Sequence, residues 1–121
     1  MPGAMKGKEK KMKLMTKSIA KTIPAIGSTD GLDKKDVKVR LKIFNPCGSQ
    51  TWFVTEYDPE TEEAFGLVDL GFGFPELGYF SIRELQSIEG PLGIGLERDL
   101  YFGKTSSVSL HDVTSEGGVQ A

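Results

Sequence analysis

One cysteine, Cys47, and one histidine, His111, stand among 121 residues. A lone thiol permits no internal disulfide and no multi-cysteine zinc site, and a lone imidazole removes the commonest metal ligand and general base from most of the chain. Most catalytic classes are therefore disfavoured, and we expect neither a metal nor a cofactor. No apolar run approaches the roughly 18 residues of a membrane-spanning helix. The basic opening Met1–Lys13 is not followed by the apolar stretch of a secretory leader, so a cytoplasmic protein away from membranes is expected. Aromatic residues are missing outside Phe44–Phe102, where all eleven fall, and the core must be built there. What remains is ordinary for one globular domain, 38% hydrophobic and 26% charged, with 15 glycines that imply many turns.

Positive charge is scarce in most of the chain. From Met1 to Lys42 there are twelve lysines and arginines against four acids, and from Ile43 onward three against thirteen. The lysines from Lys6 to Lys13 have no apolar periodicity to bury, so residues 1–13 read as a flexible basic tail. Met5, Met12 and Met15 are each candidate starts, and Met1-Pro2-Gly3-Ala4 has the look of an added leader. Without the first eleven residues the balance is eleven bases against sixteen acids. An acidic body disfavours nucleic acid as a partner, because a phosphate backbone must be met by clustered cations.

Thr16 can cap a short helix over residues 17–23 that Pro24 stops, and 27–36 is turn chemistry. Val37 to Ile43 alternates apolar and basic residues with period two, a strand with one buried and one wet face. A turn at Asn45-Pro46-Cys47-Gly48 leads to a second strand over 51–57, and Cys47 reads as a half-buried turn residue. A third strand covers 64–70, a short fourth 76–80, and Ser81-Ile82-Arg83-Glu84 is a capping box opening a helix to Ile88, with Ile82, Leu85 and Ile88 inward. The last strand, 95–102, places Arg98 on the face of Leu96, Leu100 and Phe102, where it needs a carboxylate such as Glu56, Asp69 or Glu76. Together these predict one α+β domain over 14–104: an antiparallel meander of four or five strands with two short helices on one face. Residues 105–121 read as a flexible C-terminal tail.

Gly71-Phe72-Gly73-Phe74 echoes an RNA-recognition strand, but Leu70 and Pro75 stand where a base and a valine belong, which favours an aromatic loop. Gly90-Pro91-Leu92-Gly93-Ile94-Gly95 lacks the lysine of a phosphate loop and leads into a strand. Glu60, Glu62 and Glu63 lack the ligand spacing of a calcium loop. Two constellations carry more. Glu56, Asp58, Glu60, Glu62 and Glu63 place five carboxylates in eight residues, either a solvated hairpin tip or a surface aimed at a basic partner. Glu97-Arg98-Asp99 is a charge triplet in an apolar strand pattern, either a structural ion pair or a ligand-facing cluster.

Four ordered motifs, Thr51–Asp58, Phe65–Val68, Glu76–Ser81 and Gly90–Phe102, together with Leu14–Lys17, resemble the bacterial family called domain of unknown function 2958. The resemblance implies an association with plasmids, phages and other mobile elements, and it brings no catalytic residues. The reading favoured here is a non-enzymatic interaction module of a mobile element. Its contact surface is Trp52, Glu56, Tyr79, Glu97, Arg98 and Asp99 with the acidic turn Asp58, Glu60, Glu62 and Glu63, and its partner is a protein with a basic surface. One version is an acidic inhibitor of a host DNA-targeting system. The alternatives are a small hydrolase or ligand-binding protein using Glu56, Glu97, Arg98 and Asp99, and nucleic-acid binding through Lys38, Arg40, Lys42 and the N-terminal lysines. No oligomeric state follows from these features.

Overall fold

Each hairpin of the chain is closed by turn chemistry that the sequence carries locally. The computed structural model describes residues 11–104 and 106–114. Strands β1 (Leu41–Phe44), β2 (Thr51–Asp58), β3 (Glu63–Asp69) and β4 (Glu76–Ser81) form the expected antiparallel meander. The short β5 (Glu97–Arg98) then returns to the far edge, giving the order β4-β3-β2-β1-β5. At the first turn the Asn45 side chain accepts from the Cys47 amide at 2.9 Å, and Cys47 is exposed rather than half-buried because this tip projects from the sheet.

A β-bulge in β2 divides the side chains between two cores. Trp52 and Val54 point to one face and Phe53 to the other, and the register against β3 shifts between Val54 and Glu56. The extra residue reverses the alternation, so Tyr57 rejoins Trp52 and Val54 despite its odd spacing. The first core collects Leu14, Leu41, Ile43, Trp52 and Val54, and helices α1 (Lys17–Ala20) and α2 (Ile82–Ser87) pack there. Thr16 and Ser81 cap them, accepting from the Ile19 and Glu84 amides at 3.1 Å each; of the capping box expected at Ser81, the structure forms this half alone. Helix α2 ends one residue before Ile88, which takes an extended conformation and is exposed instead of turned inward.

The opposite face has its own core of Phe53, Leu67, Leu110 and Val113 with Val37 and Val39. Here the structure departs from the sequence reading in two ways. Val37 and Val39 do not share a face with Leu41 and Ile43, because the chain changes partners near Arg40. The Val39 amide bonds to the Val108 carbonyl and the Val37 carbonyl accepts from Leu110, both outside the sheet ladder. The segment after residue 104, read as a tail, supplies helix α3 (Leu110–Val113), opened by a complete Ser109–Asp112 capping box. Backbone hydrogen bonds from Ser109 hold the Asp112 carboxyl below its ordinary value. The helices therefore lie on both faces.

At the other terminus Gln86 clamps the chain, donating to the Met12 carbonyl and accepting from the Leu14 amide at 2.8 and 2.7 Å. Lys11 pairs with Glu89 at 3.3 Å, so residues 11–13 of the expected basic tail dock onto α2. Residues 1–10 and 115–121, also read as tails, lie outside the described residues.

Candidate functional site

The side chains expected to share a site are placed in five separate regions. Glu56, at the bulge, is 2% exposed. Its carboxylate accepts from the Gly27 amide at 2.7 Å, from the Thr29 amide at 3.0 Å and from the Thr29 hydroxyl. Gly27 has φ +89°, a conformation that favours glycine and lets the loop turn its amides inward. Both carboxylate oxygens are thus engaged in fastening the 27–29 loop, which leaves Glu56 no exposed face for a partner or substrate.

Glu97, Arg98 and Asp99 do come together, around a shallow cleft of about 270 Å³ with Met12, Phe44 and Tyr101. Glu56 is not with them: Arg98 pairs in register with Ile43, and Ile43 with Trp52, four residues before Glu56 on β2. None of the three carboxylates proposed from sequence partners Arg98. β5 ends at Arg98, so its guanidinium leaves the core and donates to the Lys13 carbonyl. Leu100 is half-exposed for the same reason, while Phe102 turns to the second core and stacks at a tilt on Phe53, 6.2 Å between centroids. Asp99 meets Lys42 at 3.2 Å. Partial burial pushes the Asp99 carboxyl up, but hydrogen bonds from the Tyr101 amide and from Lys42, with the Lys42 charge and the Phe102 amide, outweigh it and hold the group below its ordinary value. A carboxyl kept ionised in this way accepts hydrogen bonds and does not donate a proton. Among the described residues no group of histidine, cysteine, aspartate and glutamate side chains is arranged to hold a metal ion.

The acidic turn between β2 and β3 is partly engaged within the chain. Asp58 accepts from the Glu60 amide at 2.9 Å and the Thr61 hydroxyl at 3.1 Å, the local bonding that makes aspartate a turn former. Glu62, at φ +62°, meets the Arg83 guanidinium at 3.1 and 2.9 Å through Nε and Nη2. Burial and the charges of Glu62 and Asp58 push the Tyr57 hydroxyl up, with Arg83 opposing. Glu60 and Glu63 are exposed and have no such partners among the described residues.

The aromatic residues divide sharply. Trp52 is 7% exposed and belongs to the first core, so it is no surface anchor. Tyr79 is 61% exposed, on the outer strand β4, against Phe65 with centroids 4.9 Å apart. Phe72 and Phe74, passed over in the sequence as loop residues, are 78% and 82% exposed. With Leu70, Leu77 and Tyr79 they make five of the ten large hydrophobic residues exposed among the described residues, all five within residues 70–79. Gly71 and Gly73 take φ near +90°, so the loop alternates its two phenylalanines outward. It also touches the first turn, since a Cβ at Gly71 would lie 2.1 Å from the Ser49 hydroxyl. The signal was in the sequence: a glycine-phenylalanine alternation closed by proline places aromatics on a turn, where no core can cover them. The acidic turn lies at the opposite end of the sheet.

These features define a small α+β domain on an antiparallel meander, with an aromatic edge hairpin and a charged far edge. No described helix is long and apolar enough to cross a membrane. The family described as protein of unknown function (DUF2958) matches residues 9–118, and the chain belongs to it. No curated protein and no solved structure matches the chain.

Proposed function

We propose that this domain is a non-enzymatic interaction module that binds a protein partner through the β3–β4 hairpin. The concentration of five exposed apolar side chains within residues 70–79 carries the reading. Exposed hydrophobic residues scattered singly are normal on any surface, whereas a contiguous stretch of them marks a contact surface. β4 is also an edge strand of six residues with Glu76 as its one charge, so it lacks the lysines and bulges that usually blunt an edge. No lysine or arginine occurs from Ile43 to Ile82, a stretch holding seven acids. That charge pattern suits a partner with an apolar surface rimmed by cations, in keeping with the basic partner expected from sequence. Phe72, Phe74 and Tyr79 are the anchors, because rigid aromatic side chains dominate interface energy. A phosphate-imitating inhibitor would have to act through Glu60 and Glu63, the two acids of the turn left unpaired.

A photoreactive residue at Leu77, used in host cells and followed by reconstitution with the purified cross-linked protein, tests this. The expected result is a complex that Phe72→Ser with Phe74→Ser weakens at least ~10-fold. Glu60→Gln with Glu63→Gln should leave it nearly unchanged. Equal affinity of the double-serine variant, shown to be folded by its thermal transition, would overturn the reading.

A further inference from the structure

At the far edge of the sheet the chain parts from β1 and encloses a cleft. β5 pairs with β1 at Ile43–Arg98 and Phe44–Glu97, the Asp99 amide adds one bond to the Lys42 carbonyl, and the next contacts along that edge are the bond from the Val39 amide to the Val108 carbonyl and the Lys38–Ser109 bridge. Between them residues 99–104 arch away in successive turns, closed by bonds from the Phe102 amide to the Asp99 carbonyl and from Lys104 to Tyr101. Under this arch lies a cleft of about 330 Å³, bounded by Arg40 to Lys42 of the edge strand and by Ile19 of α1.

Four cations, Arg40, Lys42, Arg98 and Lys104, line it against one carboxylate, Asp99. In a chain of net charge −2, such a gathering is not the general surface composition. Asp99 offsets Lys42 alone among the cations, at 3.2 Å, and its other partners are the backbone amides of Tyr101, at 2.9 Å, and Phe102. One amino group of Arg98 is held by the Lys13 carbonyl. The Arg40 guanidinium and the Lys104 ammonium have no hydrogen-bond or ion-pair partner among the described residues. Arg40 and Lys104, both exposed, and Arg98, half-buried, have no carboxylate partner among the described residues, so the concavity carries a positive potential that an anion seated there would lower.

We infer that this cleft binds the phosphoryl group of a small organic phosphate. Planar guanidinium forks match phosphate oxygens bidentately, and a doubly charged anion answers three cations without a carboxylate partner better than a carboxylate does. Beside Thr16, the remaining wall is apolar, with Ile19, Leu41, Leu100 and Phe102, so the ligand has a ring or hydrocarbon part beside its phosphate. The volume falls at the small end of ligand pockets, which suits a mononucleotide-sized molecule. A nucleic-acid backbone needs cations along an open track, whereas these four converge beneath one arch. The inference is independent of the hairpin reading, since it concerns the opposite edge.

Calorimetric titration of the full chain at low ionic strength with inorganic phosphate, adenosine monophosphate and adenosine tests it. The expected result is saturable binding of the monophosphate at millimolar or lower concentration, weaker binding of phosphate, and none of adenosine. Arg40→Gln and, separately, Lys104→Gln should each weaken the monophosphate about tenfold with unchanged thermal transitions, as the loss of a charge-assisted contact requires. Absence of saturable binding would overturn the inference. So would equal affinity in both variants, or an affinity for 5′-phosphorylated oligonucleotides that rises steadily with their length.

Discussion

The two edges of the sheet meet solvent in opposite ways. β4 presents six residues in extended pairing geometry, with Leu77 and Tyr79 facing outward and Glu76 as its one charge. β5 presents two residues, both charged, and then the chain leaves the edge as a turn with the Lys42–Asp99 pair beside it. Short, charged edges resist pairing with other chains, and long apolar ones invite it. The β5 edge is therefore guarded and offers a pocket instead, while the β4 edge offers the aromatic surface that we propose as an interface. On the two proposals, one sheet separates two kinds of recognition, one by apolar area and one by charge.

The sharpest way to break this contrast is at the paired glycines Gly66 and Gly78, which face each other across β3 and β4. A Cβ at Gly66 would lie 1.7 Å from the Phe53 carbonyl oxygen, whereas one at Gly78 meets nothing within 4 Å. Gly66→Ala should cost about 2–4 kcal/mol in urea unfolding, because backbone cannot yield as a side chain does. Gly78→Ala should fall within about 0.5 kcal/mol or stabilise slightly, through the lost flexibility of the unfolded chain. Equal penalties at the two positions would show that β4 is not open on its first face.

A comparable loss is expected on the second face. Leu110 is 5% exposed and Leu100 is 50% exposed, although both follow the same short β5. Leu110→Ala should destabilise the whole domain by about 2–4 kcal/mol, with Leu100→Ala near zero. If chemical unfolding of the Leu110 variant matches the parent, the 106–114 segment does not belong to the cooperative core.

The smallest effect concerns Asp99. Its folded value lies below the unfolded one, so its contribution to stability is present above the ordinary aspartate value of 3.8 and is lost as pH falls through the folded value. Asp99→Asn should flatten the acid limb of stability, by less than about 1 kcal/mol because the pair with Lys42 is partly solvated. An unchanged slope in urea midpoints below that pH would show that neither the Tyr101 amide bond nor the Lys42 contact is maintained in solution.

Several elements were legible because their signals are local. The Thr16 and Ser81 caps, the Asn45 turn and the β-branched run at Thr51–Tyr57 each declare themselves within a few residues. Ser109 and Asp112 carry an equally local signal that the glycine- and serine-rich surroundings hid. The candidate site was read less well. Glu56 sat in an acidic run and looked like part of a surface, but the bulge at Val54 aims it at the amides of Gly27 and Thr29, 27 to 29 residues earlier in the chain. Trp52 looked like an anchor, yet it shares a core face with Val54, while Phe72 and Phe74 are exposed by their loop.

By itself, then, the sequence determined the strands β2 to β4, the caps, the turns and the uneven distribution of charge, because each depends on neighbours within one turn or one hairpin, whereas the expected strands 37–43 and 95–102 shrink to Leu41–Phe44 and Glu97–Arg98. Only tertiary structure decided the partner change at Arg40 that turns Val37 and Val39 to the second face, and the gathering of Arg40, Arg98 and Lys104 around one cleft. The physical reason is that alternation specifies which side chains point together along a strand, but not which neighbour the strand meets. A single bulged residue, or a strand that ends after two residues, redirects everything downstream.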